Sequence, residues 1–306
     1  MNETAGKRGV AGVMLTISGI GLLVVLVTLL TTLRTSPEAV AMAGQDISPL
    51  YSTANGWLTL VIGLLLIPSF VDSIRLLRGS DRSLLRLNGG IKAATIVLVA
   101  SVAAALLVNS IFAQGGTIAS AIAAFLQVLV VAAPIWWFLE LGRYRLPALS
   151  ARRGWAITGI SLVLTMPLVM VIEIVILGMV LIAVGVWMTS QPDLLQQFET
   201  LREIIQTSGS DPEVLLPYMQ DLMRQPGVVL GLAAMIGGVM PLVEELLKPL
   251  GLWAFAITRR RLTPAEGFVG GLICGAIFAL LESGLRLIGV MPDVFAESAL
   301  ARFGSD

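Results

Sequence analysis

Three carboxylates and a lysine in two apolar stretches are the residues whose types and spacing could do chemistry. The segment "PLVEELLKPL", residues 241–250, holds Glu244, Glu245 and Lys248, and the next apolar stretch holds Glu282. An ionised side chain at the centre of a bilayer costs roughly 3 kcal/mol on insertion scales. Acids kept in such a place are typical of a site that activates water or binds a cation.

The spacing of these residues predicts how they work together. Glu244 and Lys248 are four residues apart on one helix face and can pair, whereas Glu245 points about 100° away. Glu244 and Glu245 lie about 17 residues into one span and Glu282 about 15 into the next, so antiparallel helices would bring them to similar depth. Carboxylates that lie close together repel one another as ions, and one carboxylate of such a cluster can act as a general base.

Other polar residues within apolar stretches have simpler interpretations. Glu282 and Arg286 are four residues apart and can pair with each other. Glu173 stands alone in "VIEIV" and is interpreted as a structural acid or as one whose partner the sequence does not identify. Cys274 is interpreted as a small buried packing residue. For the three carboxylates as a group, the structural alternative is a set of acid–base pairs that only holds the helices together.

Composition indicates a membrane protein. The 306 residues are 56% hydrophobic and 13% charged, with a mean hydropathy of +0.90, whereas soluble domains carry about 25% charged residues. Basic and acidic residues balance at 20 each, which argues against a nucleic-acid partner. One cysteine excludes an intramolecular disulfide and a cysteine-rich metal site, and the lack of histidine excludes imidazole chemistry.

The hydropathy pattern predicts an all-α, polytopic transmembrane helical bundle of about seven spans. A span needs about 20 apolar residues to cross roughly 30 Å of hydrocarbon. The seven stretches are Val10–Leu33, Gly56–Val71, Ile91–Phe112, Ile118–Leu139, Trp155–Met188, Val228–Ile257 and Gly267–Val290.

Loop charges predict an N-terminus inside and a C-terminus outside. With this orientation most lysine and arginine residues outside the spans fall in the inside segments, as the positive-inside rule requires. The pattern "AVAMAG" at 39–44 raises the alternative of a cleaved signal peptide, but the preceding apolar stretch is too long for one. The inside segments hold Lys7, Arg8, Arg75, Arg78, Arg82, Arg86, Lys92, Arg143, Arg145, Arg152, Arg153, Arg259, Arg260 and Arg261.

Two local patterns refine this picture. In "TPAE" (263–266) we expect Thr263 to cap a helix, Pro264 to take its first position and Glu266 to reach back to the cap. The small residues Gly267, Gly271, Gly275, Ala279 and Ser283 follow at every fourth position and predict a face that another helix can approach closely. In the loop 189–226, apolar spacing predicts two helices. They either lie on the bilayer surface or on the helical bundle, or they form a lid for a substrate.

The motifs on the last two spans resemble the PrsW family of intramembrane proteases, from the same clan as the type II CAAX prenyl proteases. The family's E-E-x-x-K motif is matched by Glu244, Glu245 and Lys248. Its F-x-x-x-E motif, in a glycine-rich helix, is matched by Phe278 and Glu282 in "GFVGGLICGAIFALLES", with Ser283 where the family usually has Asn. The resemblance covers about Val228 to Val290.

The resemblance implies a metal-dependent endopeptidase of a prokaryotic cell membrane that cleaves membrane-anchored proteins, as relatives cleave an anti-sigma factor. Its implied catalytic residues are Glu244, Glu245 and Glu282, supported by Lys248, Phe278 and Ser283. It implies a divalent metal, zinc by preference, for which Glu245 and Glu282 are the candidate ligands. Membrane lipid and a membrane-anchored substrate are the expected partners, and residues 1–153 and 154–306 are the expected four-span accessory region and protease core.

One departure from the family leaves alternatives open. The family's third motif is a histidine on a following helix, and this sequence has none. We expect a protease core truncated before its last spans, with Arg302 as the arginine that often precedes the histidine. The first alternative is a catalytically inactive PrsW-like scaffold. The second is an ion-coupled transporter, which intramembrane acids also fit, although no inverted repeat is seen.

Overall fold

The computed structural model describes an all-helical protein. In the described residues every regular element is helical, which confirms the predicted class. The described residues are 3–34, 49–80, 83, 90–113, 117–146, 149–189, 196, 199–200, 202–203, 217, 220, 224, 226–257 and 262–289. The α-helices among them are α1 (Glu3–Arg34), α2 (Pro49–Leu77), α3 (Ile91–Ala113), α4 (Thr117–Gly142), α5 (Ala151–Ile160), α6 (Met166–Thr189), α7 (Pro226–Ala234), α8 (Met240–Leu247), α9 (Leu250–Ile257) and α10 (Pro264–Gly289).

The lengths of these helices fit a multi-pass membrane protein. Among the described residues, six helical ranges are long and apolar enough to cross a bilayer, and a shorter apolar range covers part of α3, Ile91–Ala104. Six predicted spans are thereby confirmed as candidates, and the orientation stays a prediction. The six ranges are Arg8–Thr32, Ala54–Leu77, Ala121–Gly142, Ala151–Trp187, Pro226–Ala254 and Pro264–Gly284.

Two predicted spans differ from the observed helices in detail. The stretch predicted at Gly56–Val71 belongs to the longer α2, because backbone hydrogen bonds continue past the apolar segment and Pro68 does not end the helix. The span predicted at Val228–Ile257 is interrupted by a turn at Lys248 and Pro249. Proline has no N–H for the carbonyl four residues earlier and disfavours helical geometry in the residue before it.

Two π-helical turns also interrupt the α-helical pattern, at Ser161–Thr165 and at Met235–Val239. The first joins α5 to α6 and the second joins α7 to α8. A π-turn adds one residue to a helical turn, so it rotates the side chains that follow relative to those before it, and such turns are frequent at functional sites.

The chain forms two compact units: the first unit is Met1–Met166 with Lys248–Asp306, and the second unit is Pro167–Leu247. In the first unit α1 packs on α2, α3 on α4, and α10 on α4, α5 and α9. Its apolar core draws on α1, α2, α5 and α10 and includes Met14, Leu66, Ile157, Ile273 and Ile277. The roles predicted for residues 1–153 and 154–306 stay predictions.

The small-residue face of α10 differs from expectation. A Cβ placed on Gly267, Gly271 or Gly275 would meet no atom within 4 Å. Gly271, Gly275 and Ala279 instead line an apolar cavity of about 490 Å³ between α4 and α10. Within the described residues of the first unit, no helix makes the expected close contact at these three glycines.

Several predictions fall outside the described residues. The apolar residues of both predicted helices in the loop 189–226 are among them. Several of the described residues of that loop, such as Gln196, Thr200 and Arg202, are helical, whereas Arg224 lies in a turn. The basic turn 259–261 and Arg302, near the C-terminus, also lie outside the description.

Candidate functional site

The predicted glutamate pair lies on α8, in the second unit. The π-helical turn Met235–Val239 comes directly before α8, and the turn at Lys248 and Pro249 directly after it. None of the side chains of α8 is buried, and Glu244 is half-buried while Glu245 is exposed. This difference fits neighbouring residues that point about 100° apart on a helix.

The structure brings together one residue from each predicted motif. The Nζ atom of Lys248 lies 4.7 Å from the centroid of the Phe278 ring, and both residues belong to the first unit. Phe278 is only 3% exposed. A cation over a desolvated aromatic ring is worth up to about 2 kcal/mol, so this contact holds the lysine of E-E-x-x-K against the helix of F-x-x-x-E.

Glu282 follows Phe278 by one helical turn on the same face of α10. Glu282 and Ser283 are both half-buried. The side chain of Arg286 lies outside the described residues, so its pairing with Glu282 stays a prediction. The expected approach of Glu282 to the Glu244–Glu245 pair, and the pairing of Glu244 with Lys248, join residues of different units and also stay predictions.

Close backbone packing positions α10 and α9 within the first unit. A Cβ on Gly251 would lie 2.5 Å from Ser161 Oγ and 2.9 Å from the carbonyl oxygen of Ile157, so only glycine fits there without a shift. Nearby, the Ser161 hydroxyl donates to Cys274 Sγ at 3.5 Å. Cys274 is 1% exposed, which confirms its interpretation as a small buried packing residue.

The start of α10 is built as the sequence predicts. The Glu266 backbone N–H donates to Thr263 Oγ1 at 3.2 Å, and the Thr263 N–H donates to Glu266 Oε2 at 3.0 Å. This reciprocal capping box satisfies two donors that would otherwise lack partners in the helix. Sequence reasoning missed a second role of Glu266, whose Oε1 also binds Arg153 Nη1 at 2.6 Å and so ties α10 to α5.

Two buried acids were not among the predicted site residues. Glu140, 5% exposed, accepts hydrogen bonds from Trp136 Nε1 at 3.1 Å and from Arg143 Nε at 3.0 Å, which is a structural role at the end of α4. Asp72, 2% exposed, accepts a hydrogen bond from the Ser83 hydroxyl. The spacing Glu140–Arg143 was a readable signal for an ion pair, but no local pattern marks Asp72.

The described residues contain no group of three histidine, cysteine, aspartate or glutamate side chains placed to hold a metal ion. The assignment of Glu245 and Glu282 as metal ligands therefore stays a prediction. Comparison with known proteins finds no matching family model, no matching curated protein and no matching solved structure. The PrsW resemblance accordingly stands on the quoted motifs alone.

Proposed function

We propose that this chain is an intramembrane peptidase of the PrsW type, which hydrolyses a peptide bond in a membrane-anchored protein. The single observation that carries the proposal is the contact between Lys248 and Phe278 at 4.7 Å. It connects two motifs that are 30 residues apart and that were selected from the sequence as parts of one site. A fortuitous match of either motif would not require such a contact.

The covalent chain extends this argument to the glutamate pair. Glu245 precedes Lys248 by three residues, so their Cα atoms can be at most about 11 Å apart, at 3.8 Å per residue. Glu282 follows Phe278 by one turn of α10, which is about 6 Å. A shared action of the glutamate pair and Glu282 on one water molecule stays a prediction from the motifs.

The proposed hydrolysis assigns the chemistry to carboxylates. Glu245, or Glu244 in its place, takes a proton from a water molecule whose oxygen attacks the carbonyl carbon of the substrate. The carbon–nitrogen bond then breaks, and the same carboxyl group returns the proton to the leaving amine. Lys248 is a positioning residue in this scheme, because its ammonium group offsets the charge of the glutamate pair while Phe278 holds its place.

The residues present do not fit the zinc that the resemblance implies. Catalytic zinc sites use three protein ligands, most often including histidine, and this sequence has no histidine. Its one cysteine, Cys274, is buried against Ser161. The candidate ligands Glu245 and Glu282 supply only oxygen atoms, which suit magnesium or manganese better than zinc. No step of the proposed hydrolysis is therefore assigned to a metal.

The test compares two acids on membrane helices. Single-span membrane proteins of the source organism, each carrying a C-terminal tag, are co-expressed with the wild-type chain, with Glu245→Gln or with Glu173→Gln. Immunoblots should show a shortened fragment with the wild type and with Glu173→Gln. We expect Glu245→Gln to lose at least roughly a hundredfold in cleavage rate, because a general base contributes about that much or more, at unchanged expression.

A second candidate is a catalytically inactive scaffold, favoured by the absence of histidine from the sequence. A scaffold would bind its partners and cleave none of them, and Glu245→Gln would change nothing. Equal cleavage by the wild type and by Glu245→Gln would refute the proposed role of Glu245. Cleavage lost equally in both glutamine variants would point to a general loss of folding.

A further inference from the structure

A polar cavity lies at one end of the first unit, apart from the motif residues. It has a volume of about 280 Å³ and is lined by the start of α1, the end of α2 and the first turn of α5. Three of its lining residues carry charge: Asp72, Arg152 and Arg153. Most of the buried side chains of this unit are apolar, so a cavity with two guanidinium groups and a buried carboxylate needs an explanation.

The first turn of α5 gives the cavity a positive side. Ser150, Ala151, Arg152 and Arg153 line it in sequence, and the Ser150 side chain makes no cap hydrogen bond with the helix. The first N–H groups of a helix have no acceptor within it, and the helix dipole adds partial positive charge there. Helix dipole and guanidinium groups therefore favour the same kind of ligand, an anion.

Neighbouring groups hold both arginines in place. Arg152 Nη2 donates to the carbonyl oxygen of Ser80 at 2.9 Å. Arg153 Nη1 binds Glu266 Oε1 at 2.6 Å, and Glu266 does not line the cavity. Guanidinium groups that are already oriented lose less conformational freedom on binding, and their planar fork matches the geometry of phosphate oxygens.

The lining also limits the charge and size of the ligand. One carboxylate and two guanidinium groups give the lining a formal charge of +1, and Glu266, which pairs with Arg153 from outside the lining, offsets that charge. This balance favours a singly charged phosphodiester over a more highly charged phosphate monoester. At about 30 Å³ per water molecule, the cavity has the volume of roughly nine waters. That volume exceeds a bare phosphate and is near the lower end for small-molecule pockets.

We propose that this cavity binds the phosphodiester of a phospholipid headgroup. Arg152, Arg153 and the first turn of α5 contact the phosphate oxygens, and Asp72 with Ser83 contacts the polar substituent of the headgroup. The cavity lies among helix ends that the sequence predicts to face one side of the bilayer, with basic residues such as Arg75, Arg78 and Arg145 nearby in sequence. Lipid phosphates lie at the bilayer surfaces, where spanning helices end, and the same chemistry would accept a soluble phosphodiester.

The first experiment measures lipid binding to the full chain in detergent by native mass spectrometry. Dioctanoyl phosphatidylglycerol is the probe, and dioctanoyl glycerol, which lacks the phosphodiester, is the ligand control. We expect Arg153→Gln to weaken phosphatidylglycerol binding roughly ten- to a hundredfold, as for loss of a charge-assisted hydrogen bond. Binding of both lipids with equal affinity would overturn the proposal.

Two matched variants separate binding from folding. Glu266→Gln breaks the same ion pair as Arg153→Gln but keeps the capping box, which accepts glutamine, and it leaves the Arg153 guanidinium in the lining. It should therefore weaken binding much less than Arg153→Gln does. Arg145→Gln removes an exposed arginine that does not line the cavity and should bind like the wild type. Equal losses in Glu266→Gln and Arg153→Gln would overturn the proposal, because they would show that the ion pair matters and the cavity does not.

A third variant changes the volume of the cavity and leaves its charge unchanged. Ala151→Leu places a larger side chain at the lining and should weaken phosphatidylglycerol binding about as much as Arg153→Gln. Unchanged binding in Ala151→Leu would overturn the proposed place of the headgroup. Binding of the deacylated headgroup as strongly as the lipid would support the phosphodiester chemistry and assign it a soluble source.

Discussion

The two helices that carry the motif residues differ in how they are held. α10 has apolar side chains buried along much of its length, among them Val269, Ile273, Ile277 and Leu281, whereas α8 has no buried side chain. Packing against α4, α5 and α9 therefore fixes the position of Phe278 and Glu282. Substitutions on α8 should instead affect chemistry with little effect on folding.

The largest expected effect comes from truncating one leucine on each helix. Leu281 is 7% exposed and Leu246 is 52% exposed. We expect Leu281→Ala to lower the free energy of unfolding by roughly 2 kcal/mol, the low end for buried leucines, because part of the transfer gain is missing where lipid replaces water. Leu246→Ala should change it by less than about 0.5 kcal/mol.

Unfolding of both leucine variants in mixed detergent micelles, followed by tryptophan fluorescence, measures this difference. Equal destabilisation by the two substitutions would show that α8 is packed as tightly as α10. The comparison between the two helices would then fail.

A pair of glycines should give the next largest difference. Gly251→Ala brings a Cβ within 2.9 Å of the Ile157 carbonyl oxygen, while a Cβ at Gly237, in the π-helical turn before α8, would meet nothing within 4 Å. We expect Gly251→Ala to destabilise the protein by roughly 1–3 kcal/mol, as overpacking does. Gly237→Ala should be neutral or stabilise it by up to about 1 kcal/mol.

Thermal unfolding midpoints of the two alanine variants in one detergent provide the measurement. A midpoint for Gly251→Ala at or above that of the wild type would show that the contact with α5 can relax at no cost. A large loss in Gly237→Ala would show that the surroundings of the π-helical turn are closely packed.

The smallest expected effect concerns the contact between Lys248 and Phe278. A double-mutant cycle with Lys248→Met and Phe278→Leu should give a coupling energy of roughly 0.5–2 kcal/mol in stability. The cycle subtracts the loss of packing caused by each single substitution. For Phe278→Leu this loss is expected to be large, because Phe278 is buried. A coupling energy near zero would remove the contact as support for one site built from both motifs.

Local patterns in the sequence predicted much of the helical structure. The reciprocal hydrogen bonds of Thr263 and Glu266 and the burial of Cys274 agree with them, because capping and small-residue packing depend on neighbours in the chain. Hydropathy predicted the all-helical class and the apolar spans from local sequence as well, because a bilayer requires apolar side chains and satisfied backbone groups within each span. The turn at Lys248 and Pro249 was readable from the proline but was not predicted.

Long-range contacts needed the tertiary structure. Arg153 binds Glu266 and Lys248 lies over Phe278, yet neither pair is close in sequence, and helix spacing gives no information on partners from other helices. The same limit explains the small-residue face of α10. Its spacing indicates that a helix can approach, but only the packing of α5 and α9 determined that Gly270, and not Gly271 or Gly275, has such contacts.

The sequence by itself determined the membrane-helix class and the residues proposed for chemistry, because charge in hydrocarbon is costly enough to stand out in a single chain. The tertiary structure alone determined that the motif lysine meets the motif phenylalanine, and that Asp72, Arg152 and Arg153 line one cavity. These groups come from separate helices, and their distances depend on how side chains pack, which no local pattern encodes.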